Sequence, residues 1–254
     1  MVPLPKARFR CEAFDDSDVL MWWMAVDGPP VETVDRWYAT LDAGERTRAD
    51  RFYFRADRET YIAAHALTRA LLAHVDCLPA EAWRFITAPG GRPEIAPDLN
   101  RSRLRFSLSH TRGLVACAVG IDHDLGVDVE AAQDRIANEL DLAARFFAPG
   151  EVALLRGAAE DQRRDAFLRI WTLKEAYIKA TGQGLACPLD SFAFSLDPIS
   201  LHIEGADADV SQSWQFVQFC ATSRHVIALA ARQAPVPLRL TRRAVALGAL
   251  GVDD

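Results

Sequence analysis

One stretch of this 254-residue chain, residues 165–185, constrains the fold more than any other. Between Phe167 and Thr181 it holds neither Pro nor Gly and mixes strong helix formers with aromatics, which predicts a helix. Gly182 and Gly184 supply the stop, because Gly readily takes the left-handed conformation that ends helices. Leu168, Trp171, Glu175 and Lys179 fall at i, i+3, i+7 and i+11, one line along such a helix. That line begins apolar and becomes charged, and Lys174 sits beside it, rotated by about 100°. On a solvated face a Glu–Lys pair at this spacing is worth only about 0.2–0.5 kcal/mol. The surrounding Leu173, Ala176, Tyr177 and Ile178 are mostly apolar, however. Charges set in a buried helix need partners, and an ion or anionic ligand is one kind of partner.

Half of the residues are hydrophobic and a quarter charged, as in ordinary soluble globular proteins. No apolar run is long enough for a membrane span, and the start lacks a signal-peptide pattern, so no membrane association is expected. Cys11, Cys77, Cys117, Cys187 and Cys220 are scattered without a C-x-x-C, which predicts reduced thiols in a cytoplasm and no zinc site. A net charge of −6 argues against a nucleic-acid partner. Within that acidic total, Arg46, Arg48, Arg51, Arg55 and Arg58 crowd together, as a solvated helix face or as the seat of a small polyanion.

Along the chain, residues 20–26 read as a buried strand, and helical material starts near Thr33. A long helix follows over residues 57–75, with Asp57 as its N-cap. Residues 83–87 are strand-like, and 89–93 form a turn. Residues 104–109 alternate, Leu104, Phe106 and Leu108 against Arg105, Ser107 and Ser109, and 110–113 turn into a strand at 114–119. After a break near residue 122 come a strand at 125–130, a helix near 139–147, the long helix, and strands at 191–196, 214–220 and 225–231. The order of elements repeats. It predicts an α+β fold of two pseudo-symmetric half-domains, each a small, mostly antiparallel sheet packed with helices, with a site at their junction. The expected divisions are 1–122, 123–235 and a tail, 236–254, of no evident role.

On a strand, Asp128 and Glu130 of Gly126-Val127-Asp128-Val129-Glu130 project from one face, roughly 7 Å apart, while the valines face a core. This pattern fits a solvated sheet edge. It equally fits an oxygen-ligand site for a hard cation such as Mg²⁺, which takes a few carboxylates plus substrate phosphates and water, with Glu175 as a third carboxylate. Ser109-His110 makes a poor nucleophile pair, since adjacent strand residues point to opposite faces. As phosphate donors, a hydroxyl, an imidazole and nearby arginines make better sense.

Taken together, Phe-Ser-Leu-Ser-His (106–110), Gly-Val-Asp-Val-Glu (126–130) and Trp-Thr-Leu-Lys-Glu-Ala-Tyr-Ile-Lys-Ala-Thr-Gly-Gln-Gly-Leu (171–185) closely resemble the motif set of the Sfp-type 4′-phosphopantetheinyl transferases. That family's pattern is S-H after a strand, then G-x-D-x-E, then W-x-x-K-E-x-x-x-K-x-x-G-x-G-L. Gly91-Arg92-Pro93 is similar to the family's G-K-P or G-R-P turn, and the resemblance covers about residues 45 to 196. Its implied fold, two pseudo-symmetric α+β halves, matches the repeat.

The resemblance implies transfer of the phosphopantetheine arm of coenzyme A to a serine of an apo carrier protein of fatty-acid, polyketide or nonribosomal peptide assembly. Asp128, Glu130 and Glu175 would hold Mg²⁺ on the coenzyme A pyrophosphate, and Lys179, with Lys174 close by, would support the departing phosphate. His110, Arg48 and Arg46 would bind the 3′-phosphate, and Ser109 and the Arg92 turn would lie along the nucleotide. Where family members often carry another basic residue before Arg48, this chain has Glu45 followed by Arg46. The residue types suit the reaction: Mg²⁺ and Lys179 neutralise the pyrophosphate, and Glu175, directly or through a metal-bound water, removes the serine proton. With both halves in one chain, a monomer can supply the whole site. The alternatives are a Mg²⁺-dependent nucleotide or pyrophosphate hydrolase, and a non-catalytic coenzyme A or carrier-binding module.

Overall fold

The computed structural model describes residues 14–88, 91–132, 138–184, 187–203, 205, 208–232 and 237–250. Cys11, Pro89, Gly90 and Leu185, which entered the sequence reading, lie outside them. β1 (Asp18–Ala25) sends Val19 and Met21 to one face and Trp22 and Met24 to the other, as a two-residue period requires. α1 (Val31–Thr40), α2 (Ala43–Ala49) and α3 (Arg55–Val75) follow. Asp42 and Glu45 close a capping box at the start of α2, each side chain accepting from the other's backbone N–H. α3 begins two residues before Asp57, after Phe54 and with no side-chain cap. Asp57 therefore sits in its first turn, where a negative charge suits the helix dipole.

β2 (Phe85–Thr87) and β3 (Pro93–Ile95) form a two-stranded ribbon, and β4 (Leu104–Thr111) and β5 (Leu114–Ile121) a hairpin. β4 keeps His110 and Thr111 within the strand, so the turn is narrower than the sequence suggests.

The second series runs β6 (Leu125–Ala131), α4 (Glu139–Phe146), α5 (Pro149–Gly157) and α6 (Glu160–Thr181), then the ribbon β7 (Phe192–Leu196) and β8 (Ile199–Ile203). α7 (Ala208–Gln212) and the hairpin β9 (Trp214–Thr222) and β10 (His225–Arg232) complete it. α6 starts earlier than residue 165 and stops where expected, at Gly182, whose φ of 70° is left-handed.

Two sheets have the same internal order, β1-β5-β4 and β6-β10-β9, with every one of these neighbours antiparallel. β11 (Arg239–Ala244) lies in the expected tail and pairs parallel with β1 from Asp18 opposite Arg239 to Trp23 opposite Ala244, widening the first sheet. Alternation separates the cores cleanly. Leu114, Ala116 and Ala118 of β5 meet Val127, Val129, Ile227 and Leu229 between the sheets. Val115, Cys117 and Val119 point the other way, against α3, and Ala228 and Ala230 point against α6. The layers are helix, sheet, sheet, helix. At the β4–β6 seam, Ser107 Oγ accepts the Val127 N–H at 3.0 Å, so a side chain of one sheet satisfies the edge of the other.

Candidate active site

Gly126 brings α6 down onto β6. A Cβ at this position would lie 1.8 Å from Ala176 O and 2.5 Å from Ala180 N, so only glycine allows the two backbones to come this close. Contact this tight runs one face of α6 alongside β6 in the opposite direction: Trp171 meets Glu130, and two turns later Lys179 meets Asp128.

Lys179 Nζ lies 2.6 Å from Asp128 Oδ1 and 3.0 Å from Ser109 Oγ, and Ser109 Oγ donates to the same Asp128 oxygen at 3.1 Å. Asp128 is buried, and its Oδ2 has no hydrogen-bond partner among the described residues. Trp171 Nε1 donates to Glu130 Oε1 at 3.1 Å. Burial, then the charges of Asp128 and Glu175, push the Glu130 carboxyl up to about 7, against the pull of Trp171 and Lys179. Burial and Asp128 raise Glu175 as well, opposed by Lys179. Three carboxylates thus face one ammonium, and two of them are more basic than ordinary carboxylates.

Among the described residues, no three His, Cys, Asp or Glu side chains stand together so as to hold a metal ion by themselves. The donor set still fits Mg²⁺ chemically. It is all oxygen, one buried carboxylate oxygen is orphaned, and its excess of negative charge would be relieved by a hard cation that completes its shell with water and substrate oxygens.

His110, exposed near the end of β4, lies within the electrostatic reach of Lys179 and Arg48. Desolvation, followed by the positive fields of His65, Lys179 and Arg48, holds the His110 imidazole below its usual pKa. Arg48 is exposed, lies 5.8 Å over the Tyr61 ring, and has no carboxylate partner among the described residues. Arg58 and Arg55, by contrast, are paired with Asp50 and Glu59. Arg92 donates to the carbonyls of Lys179, Ala180 and Phe106 at 3.3–3.4 Å, tying the end of α6 to β4. Burial and the neighbouring Arg105 lower its pKa, and it lines a cavity of about 240 Å³ with Pro93, Phe106, Lys179 and Gly182.

Two residues expected at the ligand make other contacts in this structure. Lys174 is fully buried and turned away from Asp128, because the rotation separating it from Glu175 carries it to the α5–β7 side. There its Nζ lies 2.9 Å from Glu151 Oε2 and donates to Leu189 O at 2.7 Å and Phe192 O at 2.5 Å, which uses all three of its donors. Arg46 donates to Tyr38 O and Ala39 O at 3.2 and 2.6 Å, capping the end of α1. Glu45, beside it, is buried between His65 and Arg69, with Oε1 2.7 Å from His65 Nδ1 and Oε2 2.7 Å from an Arg69 terminal nitrogen. The sequence reading missed Glu151 and Arg69. A Pro149 start with Glu151 two residues on was the available signal for the first, since Glu151 also accepts the Ala148 N–H.

This fold and cluster coincide with a known class. The description "4′-phosphopantetheinyl transferase superfamily" matches residues 124–230, and "4′-phosphopantetheinyl transferase, N-terminal" matches residues 28–121. The chain belongs to the 4′-phosphopantetheinyl transferase superfamily. It is 34% identical over 214 residues to the 4′-phosphopantetheinyl transferase HetI of Nostoc sp., covering 84% of this chain and 87% of that protein. It is 31% identical over 174 residues to the 4′-phosphopantetheinyl transferase Sfp of Bacillus subtilis, covering 68% and 72%. Over 209 residues it is 26% identical to the L-aminoadipate-semialdehyde dehydrogenase-phosphopantetheinyl transferase of Pongo abelii, covering 76% and 68%. Among the described residues, no helix is long and apolar enough to cross a membrane.

Proposed function

We propose that this enzyme transfers the 4′-phosphopantetheine moiety of coenzyme A to a serine of an apo carrier protein, releasing 3′,5′-ADP. One observation carries the reading: Lys179 joins Asp128 and Ser109 across the β4–β6–α6 seam, with Glu130 and Glu175 beside it. In the reaction the serine Oγ forms a bond to the pantetheine-side phosphorus, and the bond from that phosphorus to the bridging oxygen breaks. Glu175, made more basic by burial and by Asp128, takes the serine proton. Lys179 offsets the negative charge that builds on the departing phosphate. His110 and Arg48 bind the 3′-phosphate, Arg48 as a cation with no carboxylate partner among the described residues; Arg92 lines the nucleotide path and Ser109 lies along it. Asp128, Glu130 and Glu175 would hold Mg²⁺, which when bound neutralises the pyrophosphate.

We also propose that the halves divide at residue 122, the first spanning 1–122 and the second 123–235. β11 then belongs by pairing with the first half. The protein acts as a monomer in the cytoplasm, where Cys77, Cys117, Cys187 and Cys220 remain reduced. Its acceptors are carrier domains of fatty-acid, polyketide or nonribosomal peptide synthases.

Intact-mass spectrometry of an apo carrier protein incubated with the enzyme, coenzyme A and Mg²⁺ tests the reading. The expected result is a phosphopantetheine-sized gain that EDTA abolishes. Coenzyme A cleaved with no gain on acyl, peptidyl or aryl carriers would replace it with a hydrolase, and coenzyme A bound without turnover would replace it with a binding module.

A further inference from the structure

Trp171 is the sole hydrogen-bond donor to Glu130 among the described residues. Glu130 needs one. The charges of Asp128 and Glu175 both press against its carboxylate, and an unheld glutamate would swing its three-bond arm away from them toward water. The indole N–H opposes that motion with a charge-assisted bond of 3.1 Å to Oε1.

The donor is itself fixed. The Trp171 ring stacks on Phe167 at 5.9 Å and 18°, lies 6.2 Å from Phe147, and is met edge-on by Phe146 at 6.4 Å and 80°. These three rings come from α4, the turn after it and α6 itself, so the indole cannot rotate without disturbing a packed aromatic cluster. Its N–H is therefore aimed by packing, and it pins one carboxylate oxygen while Oε2 remains available. From one face of α6, Trp171, Glu175 and Lys179 thus act on the two carboxylates of β6 in turn.

We propose that Trp171 is a positioning residue: by holding Glu130 Oε1 it presents Oε2 to the cation site shared with Asp128 and Glu175. The inference rests on the reading of those three carboxylates as metal-facing. An outer partner of a ligating carboxylate characteristically changes metal affinity by about 10–100-fold when removed.

The test is a double-mutant cycle read by Mn²⁺ binding, using electron paramagnetic resonance of the free ion in the presence of saturating coenzyme A. Trp171→Phe keeps an aromatic ring and deletes the N–H. The expected result is Mn²⁺ binding at least about tenfold weaker with the dissociation constant for coenzyme A unchanged. In the Trp171→Phe, Glu130→Gln double variant, binding should be no weaker than in Glu130→Gln alone, because Trp171 acts through Glu130. Unchanged Mn²⁺ affinity in Trp171→Phe, or two losses that multiply, overturns the positioning role while leaving the metal-facing carboxylates in place. Unchanged Mn²⁺ affinity in Glu130→Gln removes Glu130 from the cation site and overturns both. Should Trp171→Phe lower the melting temperature, 3-benzothienylalanine at position 171, which keeps the bicycle but lacks the N–H, is read by the same criteria.

Discussion

Gly126 and Ala176 touch backbone to backbone: the space a Gly126 side chain would fill is occupied by the Ala176 carbonyl, 1.8 Å from where a Cβ would stand. No rotamer can relieve such a contact, since neither atom belongs to a movable side chain. Gly126→Ala must lift α6 away from β6 and with it Glu175 and Lys179. Overpacking of this kind costs about 1–3 kcal/mol, and the rigid partner puts this case at the upper end. Urea unfolding should show that loss, and transfer to a carrier protein should fall with it. An alanine variant as stable and active as the parent would mean the helix does not rest on the strand.

Lys174 is buried against Glu151, and this pair is expected to support stability and not coenzyme A binding. Lys174→Met leaves a buried carboxylate without its counter-charge, which costs about 3–5 kcal/mol. The folded fraction should keep a coenzyme A KM within about twofold of the parent, as expected of a change that leaves substrate binding untouched. A KM raised severalfold with normal stability would return Lys174 to the ligand.

Glu175→Gln preserves shape and removes the proposed base. Turnover should drop by about 10²–10⁴-fold while the melting temperature holds. Near-normal rates would take the proton-accepting role away from Glu175.

His110→Ala tests the proposed contact with the 3′-phosphate. Coenzyme A should bind more weakly, and 3′-dephospho-coenzyme A should bind nearly as before. Equal losses for the two ligands, measured by calorimetry, would place His110 elsewhere than at the 3′-phosphate.

Glu130 makes stability depend on pH in a calculable direction. Its folded pKa, about 7, exceeds its ordinary value of 4.5, so between these values the folded state keeps a proton that the unfolded chain has released. Stability from this group is complete below 4.5 and is lost as pH rises toward 7, a change on the order of 3 kcal/mol. His110, with its pKa lowered, acts oppositely, adding stability as pH rises toward its ordinary 6.5. The difference between the parent and Glu130→Gln, unfolded by urea in EDTA at pH 5 and pH 8, isolates the first effect. The parent should lose ground at pH 8 relative to the variant, and Mg²⁺ should restore it. A constant difference across that range would mean that Glu130 is an ordinary carboxylate.

Sequence period made much of this legible. The alternation of residues 104–109 places Ser107 and Ser109 toward β6 and Phe106 toward α3, and the α6 line puts Trp171, Glu175 and Lys179 on one face. Period does not say which neighbouring charge a helix buries. Lys174 and Glu175 look equivalent in the sequence, and only the position of Glu151, on another helix, decides that Lys174 turns inward. Arg46 and Arg48 are alike in the same way, since the free carbonyls at the end of α1 claim one and not the other. The orienting bond from Trp171 was hidden because an indole in an apolar line reads as packing.

β11 carries no local signature, being mostly exposed and rich in arginine, and its partner is distant, with Arg239 paired to Asp18 across 221 positions. A ribosome must therefore deliver more than 200 residues after β1 before that strand gains its outer neighbour. Until then β1, paired on one side with β5, leaves its other edge along Met21, Trp22, Trp23 and Met24 open, the kind of edge that recruits a stray strand from another nascent chain or a chaperone. Late arrival of this strand makes efficient synthesis of the protein depend on how well the cell shields β1 during translation.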